Sequence, residues 1–486
     1  MEWMDYSKDV KKLSNVKPVF VLQLLVLWII TGCTYWHKNH TVEMEFLPDQ
    51  ISNTQYAEEY RQAPSNVNWW VSFEDTLLNS FMDTAFESNY DIAQAIARLD
   101  QSKARYAVSR STLFPSVGGN FGYQNSDISN SKDSSIPNQS DEKYSVNFTA
   151  AYEIDFWGRL SATRQAAYAD LIASENDFVS FQLIFSAQLA RVYFRMIELQ
   201  EQVSLVDKTI VSLTDYLNLV TSRYAVGLVS SLEVYQAESN LARTRAIKQT
   251  VEAAYLTTQN NFYTLLGKYP NSEISIKTND LMGSYPEVQS EIPSDLLTRR
   301  PDIRSAYNRM QSADKRWATA VADRFPSIRL TTQYGGLNAD LSQALKPDNM
   351  IWSAIGSVAL PLFEGGRRKA SADQSAAMYR ELAARYKAVV LNSFREVEDA
   401  LILIEKQGQY LEELNLQVAA TENSLRVATD RYMRGLSQYL VLVTAQTAYF
   451  NAETELISAK RGIMDAYVSL FISLGGDWSD DDSRTN

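Results

Sequence analysis

The sequence predicts a mainly α-helical chain that carries membrane β-strands and is built as an internal twofold repeat, and three observations predict it. The stretch from Arg223-Tyr224-Ala225-Val226-Gly227-Leu228 to Glu238 returns 208 residues later as Arg431-Tyr432-Met433-Arg434-Gly435-Leu436 to Gln446. A repeat of that length marks a duplicated supersecondary unit. Ahead of the first copy, Phe185, Leu189, Val192, Met196, Leu199, Val203, Val206, Ile210, Leu213, Leu217, Val220 and Tyr224 recur with alternating spacings of 4 and 3, the heptad seam of a coiled coil. Elsewhere the period drops to two. Tyr144, Val146, Phe148, Ala150, Tyr152 and Ile154 alternate with Ser145, Asn147, Thr149, Ala151, Glu153 and Asp155, the pattern of a strand with one face in lipid and one in water.

Residues 1–32 are expected to be an export signal. Lys8, Lys11, Lys12 and Lys17 precede the apolar run Pro18 to Ile30, which is too short for a normal membrane helix. The long n-region holds Glu2, Asp5 and Asp9, which points to a translation start further downstream. Ile30-Thr31-Gly32-Cys33 resembles a bacterial lipobox, which makes Cys33 the lipidation site, and Thr34, in place of Asp, favours the outer membrane by the same resemblance. One acyl anchor holds only marginally, so a second membrane element is expected.

Residues 33–68 read as a polar tether. The first repeat, 69–267, begins with a helical pattern from Trp69-Trp70, capped at Asp75 and running as one helix of 38 residues to Thr112. Strands over about 116–124 and 144–155 follow, joined by a polar loop from Gln124 to Lys143. A helix over 159–224, free of Pro and Gly, spans roughly 100 Å at 1.5 Å per residue. The tip at 224–230 turns at Gly227, since glycine takes a left-handed conformation cheaply. A return helix covers 228–266. Residues 268–292 form a linker broken by Pro270, Gly283 and Pro286. The second repeat, 293–475, copies the plan: strands at about 327–335 and 351–362, long helix 367–432, tip 432–438, return helix 436–474. Residues 476–486 form an acidic tail. The shift between repeats falls from 211 before the strands to 208 after them, so the loop absorbs the length difference.

Composition removes several function classes. With 486 residues, 45% of them hydrophobic, and a net charge of −12, the chain can form a large ordered structure but lacks the basic footprint of a nucleic-acid binder. Cys33 is the only cysteine, and His37 and His40 are the only histidines. No Cys/His metal cluster or Cys–His nucleophile pair can be built, and His37 with His40 reads as an exposed pair rather than a metal site. No cofactor is expected beyond the covalent lipid at Cys33. Glu396, Glu398 and Asp399 read as a solvated or salt-bridging helix face, and the chain is not expected to be an enzyme.

Four strands cannot close a membrane barrel, and open sheet edges are not tolerated in lipid. Cyclic copies solve this. About three chains give about twelve strands, within the range of known barrels, and the helices would then enclose a hollow cylinder with the tips at the far end from the strands.

Phe114-Pro115, Asp155-Phe156-Trp157-Gly158-Arg159, Arg299-Arg300-Pro301-Asp302, Pro361-Leu362-Phe363-Glu364-Gly365-Gly366-Arg367, Glu396-Val397-Glu398-Asp399-Ala400-Leu401, both tips and Leu474-Gly475 resemble the TolC-type outer-membrane factor family, in its lipoprotein branch serving multidrug efflux systems. The resemblance implies long coiled-coil hairpins forming a periplasmic tunnel, with four strands per chain contributing to a trimeric twelve-stranded outer-membrane barrel. It implies a homotrimer that meets a periplasmic membrane-fusion adaptor and an inner-membrane efflux transporter. Carried onto this chain, the adaptor-docking tips are Arg223, Tyr224, Gly227, Leu228, Val229 and Ser230 with Arg431, Tyr432, Gly435, Leu436 and Ser437. The other reading of these residues is that they only make the turns. Asn147, Thr149, Glu153, Arg329 and Gln333 are the expected pore-lining set, and net acidity favours cations. The periplasmic gate would fall at Glu233, Gln236, Val441 and Thr444. Relatives often carry acidic residues at the places held here by Val441 and Thr444, so an acidic ring from the second repeat is absent. Two other functions compete: a duct for type I protein secretion, and a coiled-coil structural envelope lipoprotein, which leaves the alternating strands unexplained.

Overall fold

A computed structural model describes residues 68–128, 139–270 and 300–476. The expected signal peptide, Cys33, His37, His40, most of the tether and inter-repeat linker, and the acidic tail lie outside the described residues. The chain divides into two compact units. One holds the strands and comprises Pro115–Ala162 and Asp314–Ala376; the other holds most of the helical structure.

In the strand unit, β1 (Ser116–Ile128), β2 (Gln139–Ile154), β3 (Ser327–Asn338) and β4 (Met350–Ala359) form one antiparallel sheet in the order β1-β2-β3-β4. The register puts Phe148 opposite Tyr334, Tyr334 opposite Trp352, and Ile154 opposite Ile328, all on one face. That face is apolar and exposed within the chain, with Phe121, Phe148, Tyr334, Trp352 and Val358 all open. The first hairpin is longer than its sequence suggests. β1 and β2 stay paired out to Ile128 opposite Gln139, inside the stretch expected to be a loop. Past the aromatic pair Tyr123 and Tyr144 the sequence is polar apart from Ile128, so pairing continues without an alternation signal. β4 stops at Ala359 rather than 362, because Pro361 has no amide to give a ladder.

The motifs around the sheet form its corner. Asp155 caps the next helix, accepting from the amides of Leu160 (2.9 Å) and Ser161 (2.7 Å). Trp157 donates its indole N–H to the Pro326 carbonyl at 2.7 Å and stacks on Phe325 at 4.9 Å. Asp-Phe-Trp-Gly-Arg in one repeat therefore grips Phe-Pro-Ser in the other.

The helical unit begins with a short 3₁₀ turn, Trp69–Phe73, followed by α1 (Thr76–Ser88) and α2 (Tyr90–Ser111). One helix of 38 residues was expected here, but Asn89 breaks it: extended itself, it caps α2 through its Oδ1, which accepts from the amides of Asp91 and Ile92. The long helices are α3 (Arg159–Ala225) and α7 (Arg367–Met433), each of 67 residues. Their return partners are α4 (Ser231–Leu265) and α8 (Tyr439–Ser473); α5 (Pro301–Ala322) opens the second repeat and the short α6 (Leu341–Ala344) lies between β3 and β4. Both return helices start three residues later than the sequence pattern suggested, at 231 and 439 rather than 228 and 436. Ser230 and Gln438 are extended at the cap position and belong to the turn.

The core of this unit is aromatic. Trp69, Trp70, Phe73, Leu78, Met82, Phe185, Leu189, Tyr193, Phe262, Met464 and Tyr467 pack together, and Trp69 stacks on Phe471. Its few polar atoms are paired: the Trp69 indole donates to Ser186 Oγ at 2.9 Å, and the Tyr193 hydroxyl to the Asp75 carboxylate at 2.6 Å. Below it, the carboxylate of Glu198, 1% exposed, meets Arg195, Arg461, Gln202 and Ser458. This network joins α3 of the first repeat to α8 of the second. The heptad seam of α3 is buried or half-buried as far as Val220, but its last member, Tyr224, is 50% exposed.

Glycines in the same left-handed conformation separate packing from turn-making. A Cβ on Gly267 (φ 67°) would sit 2.2 Å from the Ser88 carbonyl, whereas Gly227 (φ 75°) has nothing within 4 Å. Gly227→Ala should cost about 1–2 kcal/mol, the conformational term alone. Gly267→Ala should cost about 1–3 kcal/mol more from overpacking, and the helical signal in a thermal melt should rank the two in that order.

Candidate functional site: the paired helical tips

Both tips use the same turn chemistry. In the first, the amides of Gly227 and Leu228 donate to the carbonyls of Tyr224 and Arg223, each at 2.9 Å; in the second, Gly435 and Leu436 donate to Tyr432 (3.0 Å) and Arg431 (2.8 Å). These bonds satisfy carbonyls that the helix ends leave without intrahelical partners.

Beyond the turn the copies differ. Arg223, in the last turn of α3, reaches across to the end of α7 and donates to the carbonyls of Tyr432 at 3.0 Å and Met433 at 2.7 Å. Its guanidinium lies 4.9 Å from the centre of the Tyr432 ring. A cation at a helix C-terminus meets the negative end of the macrodipole as well as free carbonyls. Tyr432 is 2% exposed, packs edge-on to Tyr439 at 5.6 Å, and its hydroxyl bonds Glu233 at 3.3 Å. Val220, Ala237 and Leu442 complete a small core, with Val229 and Val234 packed on it. Burial, then the Glu233 carboxylate, push the Tyr432 phenol up, while Arg223 pulls it down. Burial pushes Tyr439 up to about 12.

Of the expected tip residues, the structure brings Arg223, Val229 and Tyr432 together, along with Glu233 from the expected gate set. Tyr224, Gly227, Leu228, Ser230, Arg431, Gly435 and Leu436 are exposed, and Ser437 is half-buried. Val226, Leu228 and Leu232 of the first tip and Leu436, Leu440 and Val441 of the second form exposed apolar surface. Gln236 is half-buried; Thr444 is exposed and bonds its own helix at Leu440.

On the sheet, the face opposite the aromatic one carries all five expected pore residues. Glu153 lies opposite Arg329 and Thr149 opposite Gln333, with Asn147 on the same face two positions on. Glu153 pairs with Arg159 at 2.6 Å and Arg329 at 3.7 Å. Leu337, Ile351 and Ile355 share this face and are exposed.

Sequence reasoning missed Arg300. Buried at the start of α5, it donates to the Ser473 carbonyl at 2.8 Å, to Asp302 at 2.8 Å and to Glu396 at 2.7 Å. Burial works against its charge, but the two carboxylates outweigh it and raise its pKa. Asn89 does the same at the first repeat, donating to the Leu265 carbonyl at 2.8 Å. The repeat offset held the signal, since Arg300 answers Asn89 at 211 and Ser473 answers Leu265 at 208. Among the described residues, no cluster of His, Cys, Asp or Glu could hold a metal ion, and no helix is long and apolar enough to cross a membrane.

The family model described as outer membrane efflux protein matches residues 81–268 and 292–476, both repeats. The chain belongs to the outer membrane efflux protein family. Relatives of this outer-membrane efflux channel include the probable efflux pump outer membrane protein SepC and the toluene efflux pump outer membrane protein TtgF, both of Pseudomonas putida. Each is 29% identical over 428 residues, covering 86% of this chain and 87% of the relative. The pyoverdine export outer membrane protein OpmQ of Pseudomonas putida is 27% identical over 431 residues, covering 86% and 90%. The fold matches that of the Campylobacter jejuni CmeC outer membrane channel with a TM-score of 0.84 at 21% identity, over 92% of this chain and 96% of that one. The outer-membrane channel OprN matches at 0.81 and 24%, over 90% and 100%.

The raised phenols carry a pH dependence. An unfolded tyrosine ionises near 10, so the tip holds these protons where the unfolded chain has released them. Its stability is full below pH 10 and falls as pH rises toward 12. Tyr439→Phe should flatten that fall, read as amide exchange at the tips between pH 9 and 12.

Proposed function

We propose that this chain is the exit duct of a three-part efflux assembly, three copies closing one twelve-stranded barrel in the outer membrane above a helical tunnel. The observation that carries this reading is the four-stranded sheet. One face is aromatic and open, as lipid contact requires, the other is polar and holds a compensated Glu153–Arg329 pair, and β1 and β4 leave unpaired edges. In lipid those edges must pair, and copies of the same sheet supply the partner strands.

The reading extends to partners and cargo. The exposed apolar residues around Gly227 and Gly435 support docking of a periplasmic adaptor, which in turn connects an inner-membrane transporter. Arg223, Tyr224, Val229, Ser230, Arg431, Tyr432 and Ser437 then frame the docking surface, and Glu233, Gln236, Val441 and Thr444 line the region where the tunnel narrows. The relatives are named for toluene, solvent, antibiotic and pyoverdine export. Small organic solutes are therefore the proposed cargo, with selection made upstream. Cys33 carries the lipid that assists anchoring, and Asn147, Thr149, Glu153, Arg329 and Gln333 face the water-filled pore.

Deleting the chain should sensitise cells to a panel of solvents, dyes and antibiotics by at least severalfold. Unchanged susceptibility together with loss of an exported protein would instead assign it to protein secretion. Gly227→Trp or Gly435→Trp should abolish pump activity while heat-modifiable oligomers remain in outer-membrane fractions. Full resistance in both variants would move adaptor docking away from the tips.

A further inference from the structure

The repeats make two kinds of seam in a closed ring: first repeat to second within a chain, and second repeat to first between chains. The inner seam is visible here, and the offset of 208 to 211 translates each of its contacts into the residues that would meet across the outer seam. The translation is uneven. The ion pair of Glu198 with Arg461 becomes Lys406 with Ala253. That of Asp177 with Arg309 becomes Arg385 with Arg98, two like charges. Glu233, which accepts from Tyr432, becomes Val441; Tyr439 becomes Ser231; and Tyr216 with Thr429, 3.3 Å apart, becomes Ser424 with Thr221, too short to span the same gap.

At the tips, one contact survives. Arg223 becomes Arg431, and its acceptors, the carbonyls of Tyr432 and Met433, become those of Tyr224 and Ala225. Main-chain acceptors are indifferent to the side chain, and Tyr224 keeps the aromatic face for the cation as well. Within the single chain, Arg431 is exposed with Asp430 and Arg434 paired to each other beside it. Tyr224 is half exposed although it ends a seam whose other members are covered.

We propose that Arg431 of each protomer clamps the end of α3 in the next, donating to the carbonyls of Tyr224 and Ala225 and lying over the Tyr224 ring. This makes Arg431 an assembly residue, with a second copy of the chain as its partner. The outer seam at the tips then rests on this clamp without the buried tyrosine pair and the glutamate that back Arg223. The inference rests on the ring of copies proposed above, so its test reads that ring separately.

Arg431→Cys with Ala225→Cys in the full-length membrane protein, treated with a short bismaleimide, should give bands at two and three times the chain mass on a denaturing gel. The internal counterpart, Arg223→Cys with Met433→Cys, should cross-link within one chain and stay at monomer mass, and the protein with Cys33 alone should show neither. Native mass, measured on the same samples, reports the ring. Trimers whose 431–225 pair yields only monomer bands would overturn the clamp and leave the ring standing, whereas monomers by native mass would overturn both. Without cross-linking, Arg431→Ala should speed amide exchange in residues 222–228 of the trimer about tenfold, the lower end expected for a lost charged hydrogen bond. Exchange unchanged within twofold would count against the clamp.

Discussion

A helix ends in carbonyls that no amide of its own can reach, and this chain places its most informative side chains at those ends. Asn89 takes the Leu265 carbonyl, Arg300 takes that of Ser473, and Arg223 takes those of Tyr432 and Met433. Two helices of 67 residues and two of 35 would slide or splay if only apolar seams held them, because leucine and alanine faces tolerate shifts of register. Directional bonds to main-chain oxygens fix the register at the points where the seams stop. Close packing locks two of the same junctions from the other side: a Cβ on Gly267 would strike the Ser88 carbonyl at 2.2 Å, and one on Gly475 would press on Arg300 at 3.2 Å.

What the sequence displayed most clearly was periodic. The heptad seam from Phe185 and the alternation from Tyr144 to Ile154 announce α3 and β2 because burial imposes the same chemistry every turn or every second residue. Features that depend on one residue were harder to read. Asn89 looks like an ordinary polar position until its Oδ1 is seen to cap α2 while its Nδ2 holds the end of α4. The outer ends of β1 and β2 keep their ladder through polar residues, so nothing in the sequence distinguishes them from loop. At the tips the turns were legible from glycine and the repeat. The choice of Arg223 over Arg431 as the internal clamp was not, since it depends on which repeat faces which within one chain.

Duplication gives both repeats the same backbone plan and then lets the side chains diverge. Asn89 and Arg300 do one job with a neutral amide and a guanidinium. The guanidinium needs counter-charges, and Asp302 and Glu396 supply them; Asp91 answers Asp302 in the first repeat, but Gln188 stands where the second repeat has Glu396. At the tips the divergence runs the other way: the arginine is kept in both copies, while its supporting glutamate and second tyrosine exist in one.

The sheet limits what net charge can say about conduction. A chain at −12 suggests a cation-preferring pore, but Glu153 and Arg329, which face each other on the polar face, are compensated locally. Glu153 lies between Arg159 and Arg329, and Asp323 is within reach of Arg159 (3.8 Å) and Arg368 (3.4 Å). Leu337, Ile351 and Ile355, apolar on the same polar face, further reduce the number of groups that could coordinate an ion there. Net charge alone therefore gives no ion preference for this face.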